Sequence, residues 1–235
     1  MAVPVPMPII AIPFFLLAPS AVDSSRGSLL PVTRQQLCVT TGTVTAGEHG
    51  ALLVEVPEMR AIVASGPART VEARLRYLGP TKDVKRLASG ELRRQVGFKL
   101  RAANTCNVVY VMWHIEPDPR LAVSVKSNPG MATHVQCDAH GYRNLKPARQ
   151  SPVPILRPGE WHRLRARLAG EELSVSIDGH AVWLSSIGAD GMAFDGPVGL
   201  RSDNGRFELE LFQSAPDSGA FRPATPCHSE PGETE

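Results

Sequence analysis

The sequence predicts an all-β protein, built as a sandwich of two antiparallel sheets. Three observations carry that prediction. Polar and apolar residues alternate with a period of two in one segment after another, as half-buried strands require. Leu164, Ala166 and Leu168 alternate with Arg163, Arg165 and Arg167, and Leu173, Val175 and Ile177 alternate with Ser174 and Ser176. Asp178-Gly179 follows directly, two residues that accept positive φ and so mark a tight hairpin. Finally, 21 prolines and 20 glycines among 235 residues work against a helical protein. A chain of this length suits one sandwich with tails, since all-β domains often reach roughly 200–250 residues. A net charge of +2 gives no global pull toward nucleic acid or membrane surfaces.

Residues 1–36 read as a leader and linker. Ile9–Ala18 is an apolar run followed by the small residues Ser20 and Ala21, which resembles a secretory h-region and cleavage site. It departs from that pattern because no Lys or Arg precedes it and Pro4, Pro6, Pro8 and Pro13 interrupt it. It is also too short and too proline-rich for a membrane span. Export, to the periplasm or the exterior, is preferred over a tail without an address.

A single sandwich is expected over residues 37–213. Ala51–Val56, Met59–Val63 and Thr70–Tyr77 are strands, with Gly79-Pro80 ending the third. Leu92–Arg101, Asn107–Ile115 and Leu121–Lys126 follow, separated by turn-like Ala103-Asn104 and Pro117–Pro119. Ser127–Pro158 is long and loop-rich, hence either functional or pinned. Residues 214–235 form a polar, proline-rich tail.

The four cysteines, Cys38, Cys106, Cys137 and Cys227, suit an exported protein with two disulfides. Three connectivities are open. Cys106–Cys137 is favoured because the two flank adjacent expected strands, and Cys38–Cys227 because it would tie the ends of the domain together. No pair has C-x-x-C spacing, which argues against structural zinc. His134, Cys137, Asp138 and His140 fit no standard zinc pattern either.

The segment 159–212 resembles the C-terminal half of the concanavalin A-like lectin and glucanase superfamily, and within it the laminin-G-like and 3-keto-disaccharide hydrolase-type domains. Gly159, Trp161 and Leu164, then Asp178 and Gly179, then Gly196, Gly199, Leu200, Ser202 and Asn204 carry the resemblance. It implies a jelly-roll sandwich and says almost nothing about chemistry.

Alternation splits the central strands into two faces. Val96, Phe98, Leu100, Val109, Val111, Trp113, Ile115, Leu121, Val123 and Val125 form a core face. The opposite face gathers Arg93, Gln95, Lys99, Arg101, Tyr110, Met112, His114 and Lys126. In jelly rolls of this kind a sheet face is where sugar chains lie. Planar donors suit hydroxyls, aromatic rings suit the C–H face of a sugar, and Arg suits carboxylate or sulfate. A glycan groove biased to acidic ligands is therefore one reading, and a solvated sheet face is the other.

Catalysis is not evident. A glycosidase needs two carboxylates at about 5–5.5 Å or about 6.5–9.5 Å, and the alternating carboxylate run of the glucanase branch is missing. Glu208 and Glu210 are the nearest pair. A lyase could use Tyr110 or His114 as base, with Arg101, Arg93 or Gln95 neutralising a sugar carboxylate. Trp161 reads as a packing residue, and Asp203-Asn204-Gly205 as a turn that could at most help hold calcium. Lys82, Lys85 and Arg86 lack the interleaved aromatics of a nucleic-acid site. The preferred function is an exported carbohydrate-binding domain. The alternatives are a polysaccharide hydrolase or lyase and a laminin-G-like protein-interaction module.

Overall fold

The computed structural model describes Met1 and residues 28–216. The chain forms β1 (Leu30–Val32), β2 (Leu37–Thr41), β3 (Thr45–Ala46), β4 (Leu52–Val54) and β5 (Glu58–Val63). The long strands β6 (Thr70–Pro80), β7 (Arg94–Leu100), β8 (Val108–Glu116) and β9 (Arg120–Lys126) follow. After the short helix α1 (His134–Cys137) come β10 (Tyr142–Asn144) and β11 (Arg149–Gln150). The chain ends with β12 (Trp161–Ala169), β13 (Glu172–Ile177), β14 (His180–Ser186), helix α2 (Gly188–Met192), β15 (Gly199–Asp203) and β16 (Gly205–Gln213).

These strands build an all-β jelly-roll sandwich of two antiparallel sheets. One has nine strands, in the order β11-β14-β13-β12-β6-β16-β4-β3 with β1 also on β16. The other has seven, in the order β10-β9-β8-β7-β15-β5-β2. Their inner faces carry the alternating apolar residues. Phe98 and Trp113 are fully buried, as are Leu164, Leu173 and Phe207 facing them from the other sheet. Burying one such side chain is worth about 1.5–3 kcal/mol. Every residue of the expected core face, from Val96 to Val125, lies in this cluster.

The hairpin at Asp178-Gly179 has φ of 51° and 85° at its two corners, the doubly left-handed turn that right-twisted strands favour. Asp178 also accepts the Arg163 N–H at 2.7 Å, which ties the turn back to β12. Two expected boundaries move. Gly79-Pro80 does not end β6, which continues to pair with Gly205 and Arg206. Gly79, at φ 106°, and a bulge between Arg206 and Phe207 absorb the distortion there. Leu30–Val32 falls in the stretch read as linker, yet pairs in register with Leu211–Gln213.

The loop-rich stretch is pinned as expected: Cys106 and Cys137 form a disulfide with Cα atoms 5.8 Å apart. Cys38 is disulfide-bonded as well. Its expected partner Cys227, the apolar run Ile9–Ala18 and most of the tail lie outside the described residues. Among the described residues no helix is long and apolar enough to cross a membrane.

Candidate functional site

The outer face of the seven-stranded sheet is built in rows, because antiparallel register places one residue of each strand beside the next. Asp203, Gln95, His114 and Arg120 form one row. Arg201, Gly97, Met112 and Ala122 form the next, and Gly199, Lys99, Tyr110 and Ser124 the third. Next to the edge strand β10, Lys126 pairs with both Val108 and Tyr142. Small residues at the centre keep the floor low. At Gly97 a Cβ would stand 2.0 Å from the Val111 carbonyl oxygen, so only glycine fits.

Over this floor lies a cavity of about 510 Å³. Leu87, Ser89 and Glu91 wall one side, and His134, Asp138 and Ala139 of the disulfide-pinned segment wall another. Arg93, Gln95, Tyr110, Met112, His114 and Lys126 all line it. Lys99 lies on the same face, 3% exposed, but does not line the cavity. Arg101 stands apart. It follows the end of β7 at φ 50°, and its guanidinium binds the Phe194 carbonyl and approaches Asp195 at 3.4 Å. Arg201, Arg120 and Tyr142 complete the lining.

The face is not solvated in the way a plain outer sheet face would be. Gln95, Tyr110, His114 and Lys126 are between 0 and 3% exposed. Burial of charge demands partners, and the face supplies a network. Arg60 donates to Asp203 Oδ1 at 2.7 Å and lies 3.4 Å from Glu58. Arg201 Nε donates to Asp203 Oδ2 at 3.1 Å, and Gln95 Nε2 donates to the same oxygen at 2.6 Å. Lys85 pairs with Glu58, Arg93 with Glu91, and Arg120 with Asp118.

This network sets protonation. Burial alone would raise the Asp203 carboxyl, but Arg201 and Arg60, with hydrogen bonds from Gln95 and Arg60, hold it at about 2. Burial, then the charges of Arg93 and Arg120, push His114 down to about 3. The ring is therefore neutral at physiological pH and a weak base.

Aromatic rings complete the site. Tyr110 and Tyr142 stack with centroids 6.0 Å apart at 22°. The Arg201 guanidinium lies 4.9 Å from the Tyr110 ring, and Lys126 Nζ lies 5.0 Å from that of Tyr142. Such contacts hold both cations by the ring quadrupole.

Asn204, at φ 55°, is more than a turn residue. Its amide accepts the Lys85 N–H and donates to the carbonyls of Lys85 and Arg93, at 2.7–2.9 Å, and so pins the cavity wall. Asp203 beside it is engaged by two guanidiniums, which excludes the calcium role considered for this turn. Cys137 is consumed by its disulfide, which removes it as a metal ligand. Among the described residues no group of three His, Cys, Asp or Glu could hold an ion. Trp161 is not a packing residue: it is 41% exposed, between Arg74 and Arg76, on the opposite side of the sandwich.

Four functional-looking residues, Arg60, Arg120, Tyr142 and Arg201, were not read from the sequence, and Asp203 was read only as part of a turn. A signal existed for two of them. Arg60 alternates with Met59 and Ala61, and Arg201 with Leu200 and Ser202, so both had to face away from the core.

No family model matches this chain, and no curated protein matches it. Solved structures do. The carbohydrate-binding module CBM66 from Bacillus subtilis is 11% identical and superposes with a TM-score of 0.50, covering 76% of this chain and 92% of the module. The Emp46p carbohydrate recognition domain is 10% identical with a TM-score of 0.53, covering 78% and 89%. These likenesses establish a fold of the concanavalin A-like class. Domain 4 of AbnA, an extracellular arabinanase from Geobacillus stearothermophilus, matches with a TM-score of 0.44 at 13% identity, over 77% of this chain and 84% of that domain.

Proposed function

We propose that the cavity binds an acidic saccharide and that the chain is an exported carbohydrate-binding domain. The observation that carries this reading is the lining. Arg93, Arg120, Lys126 and Arg201 converge there with the stacked Tyr110–Tyr142 pair, against two lining carboxylates, Glu91 and Asp138. Guanidiniums suit carboxylate or sulfate, and the exposed Tyr142 ring suits the C–H face of a sugar. A cavity of this size holds one or two sugar units, within the range of small-molecule sites. Carbohydrate recognition by similarly folded proteins and two disulfide-bonded sites supports the same reading, and disulfides suit an oxidising compartment.

A glycan array probed with the full chain, with salt varied, tests this. Binding to uronic or sulfated glycans that weakens with salt is the expected result. Binding confined to neutral glycans, or to none, contradicts it and turns the search to protein partners.

A second reading has one observation in its favour, the convergence of titratable groups in one cavity. It makes the site a polysaccharide lyase with Tyr110 as base and Gln95 and the arginines neutralising the sugar carboxylate. Burial and the charges of Arg93 and Arg120 make His114 a weak base, which favours Tyr110 for that role. Incubation with polyuronates, followed by the absorbance of an unsaturated product, decides between binding and cleavage.

A further inference from the structure

Gln95 brings to the cavity a buried acceptor without a hydrogen-bond partner, and its orientation is fixed. Gln95 is 2% exposed, lines the cavity, and stands between Asp203 and His114 in the first row of the sheet. Its Nε2 donates to Asp203 Oδ2 at 2.6 Å. Its Oε1 is buried with no hydrogen-bond partner. The amide cannot turn over to relieve this. An ionised Asp203 only accepts, so an inverted amide would set oxygen against oxygen. Asp203 is itself locked by Arg60 and Arg201, and it stays ionised to about pH 2.

A buried acceptor without a donor is costly, and a ligand hydroxyl reaching the cavity floor would relieve that cost. The surrounding cations do not do so. Arg93 is engaged with Glu91, Arg120 with Asp118, and Arg201 with Asp203. A bare anion such as sulfate carries no donor and would leave the amide oxygen as it is. We infer that Gln95 Oε1 is the acceptor for a ligand hydroxyl, so that the site selects a hydroxylated anion, such as a uronic acid unit, by reading one specific hydroxyl. This rests on the acidic-saccharide reading above and adds to it a specificity-determining residue.

The test uses the full-length protein and calorimetric titration. The probes are methyl glucuronoside and methyl galacturonoside, each with its set of monodeoxy analogues. The wild-type chain is expected to bind one monodeoxy analogue at least about tenfold more weakly than its parent, since a site built around a hydroxyl penalises its absence. Gln95→Met is expected to bind that analogue and its parent within about threefold of each other. Circular dichroism checks the fold of the variant. A wild-type protein that binds all analogues equally, or a Q95M variant that keeps the discrimination, overturns the inference while leaving the anion reading in place. Binding of neither uronoside removes both. The wild-type comparison needs no variant, so a Q95M chain that fails to fold leaves the test standing.

Discussion

His114 and Asp203 show how individual residues tie stability to pH. The folded His114 ring stays neutral down to about 3, whereas its unfolded value is 6.5. Between those values the unfolded chain binds a proton that the folded chain refuses. Stability is therefore complete above about pH 6.5 and falls on acidification by about 1.4 kcal/mol per pH unit across the window. Asp203 acts in the same direction at lower pH, because its carboxyl shifts from 3.8 to about 2 on folding. Urea unfolding between about pH 7 and about pH 4.5 is expected to show this slope in the wild type and a flatter one in His114→Gln. Equal slopes would mean that the ring is not the group responsible. Asp203→Asn strips the charge shared by Arg60 and Arg201. Breaking a buried ionic group in this way costs about 3–5 kcal/mol, read as a lower urea midpoint at pH 7.

The elements that roof the cavity were the least legible in the sequence. The faces of β7, β8 and β9 could be read from alternation alone, and the split into core and opposite face was right at every apolar position. Residues 81–93 and 127–141 have no period, so nothing in them announces that they close over that face. Their anchors are long-range contacts, among them the hydrogen bonds of Asn107 and Asn128 and the Lys85–Glu58 ion pair, and two stand out. One is the Cys106–Cys137 bridge, whose spacing did allow it to be favoured. The other is Asn204, which reads as an ordinary turn residue until its three bonds to Lys85 and Arg93 are seen. Asn204→Ala is expected to speed hydrogen exchange at the Lys85 amide by at least about tenfold, with the amides of β8 unchanged. Replacing Cys106 and Cys137 together by Ala is expected to cost about 3–4 kcal/mol from loop-closure entropy. A cost near zero, seen in denaturant melts, would show that the wall holds without the bridge.

At the scale of the whole molecule, strand order decided what the sequence concealed. The position of β15 between β5 and β7 brings Arg60, Arg201 and Asp203 beside Gln95, although 143 residues separate Arg60 from Asp203. Alternation shows which way each side chain faces but not which strand is its neighbour. Hence Arg93, Gln95, Tyr110, Met112, His114 and Lys126 were gathered correctly on one face. Arg101, one residue past the end of β7, was placed there only because the alternation was extended too far. The resulting cavity gathers cationic and aromatic side chains.

The most direct test is calorimetric titration of the full chain with an oligogalacturonate, set beside a variant with both Arg93→Ser and Arg120→Ser. Neither guanidinium is part of the Arg60–Asp203 network, so the fold is expected to survive. If the cavity holds the acidic sugar, the wild type binds and the variant binds at least about tenfold more weakly, each lost charged hydrogen bond being worth about 1.5–3 kcal/mol. Equal affinity in the two chains would place the sugar elsewhere and contradict the assignment of this cavity as the site.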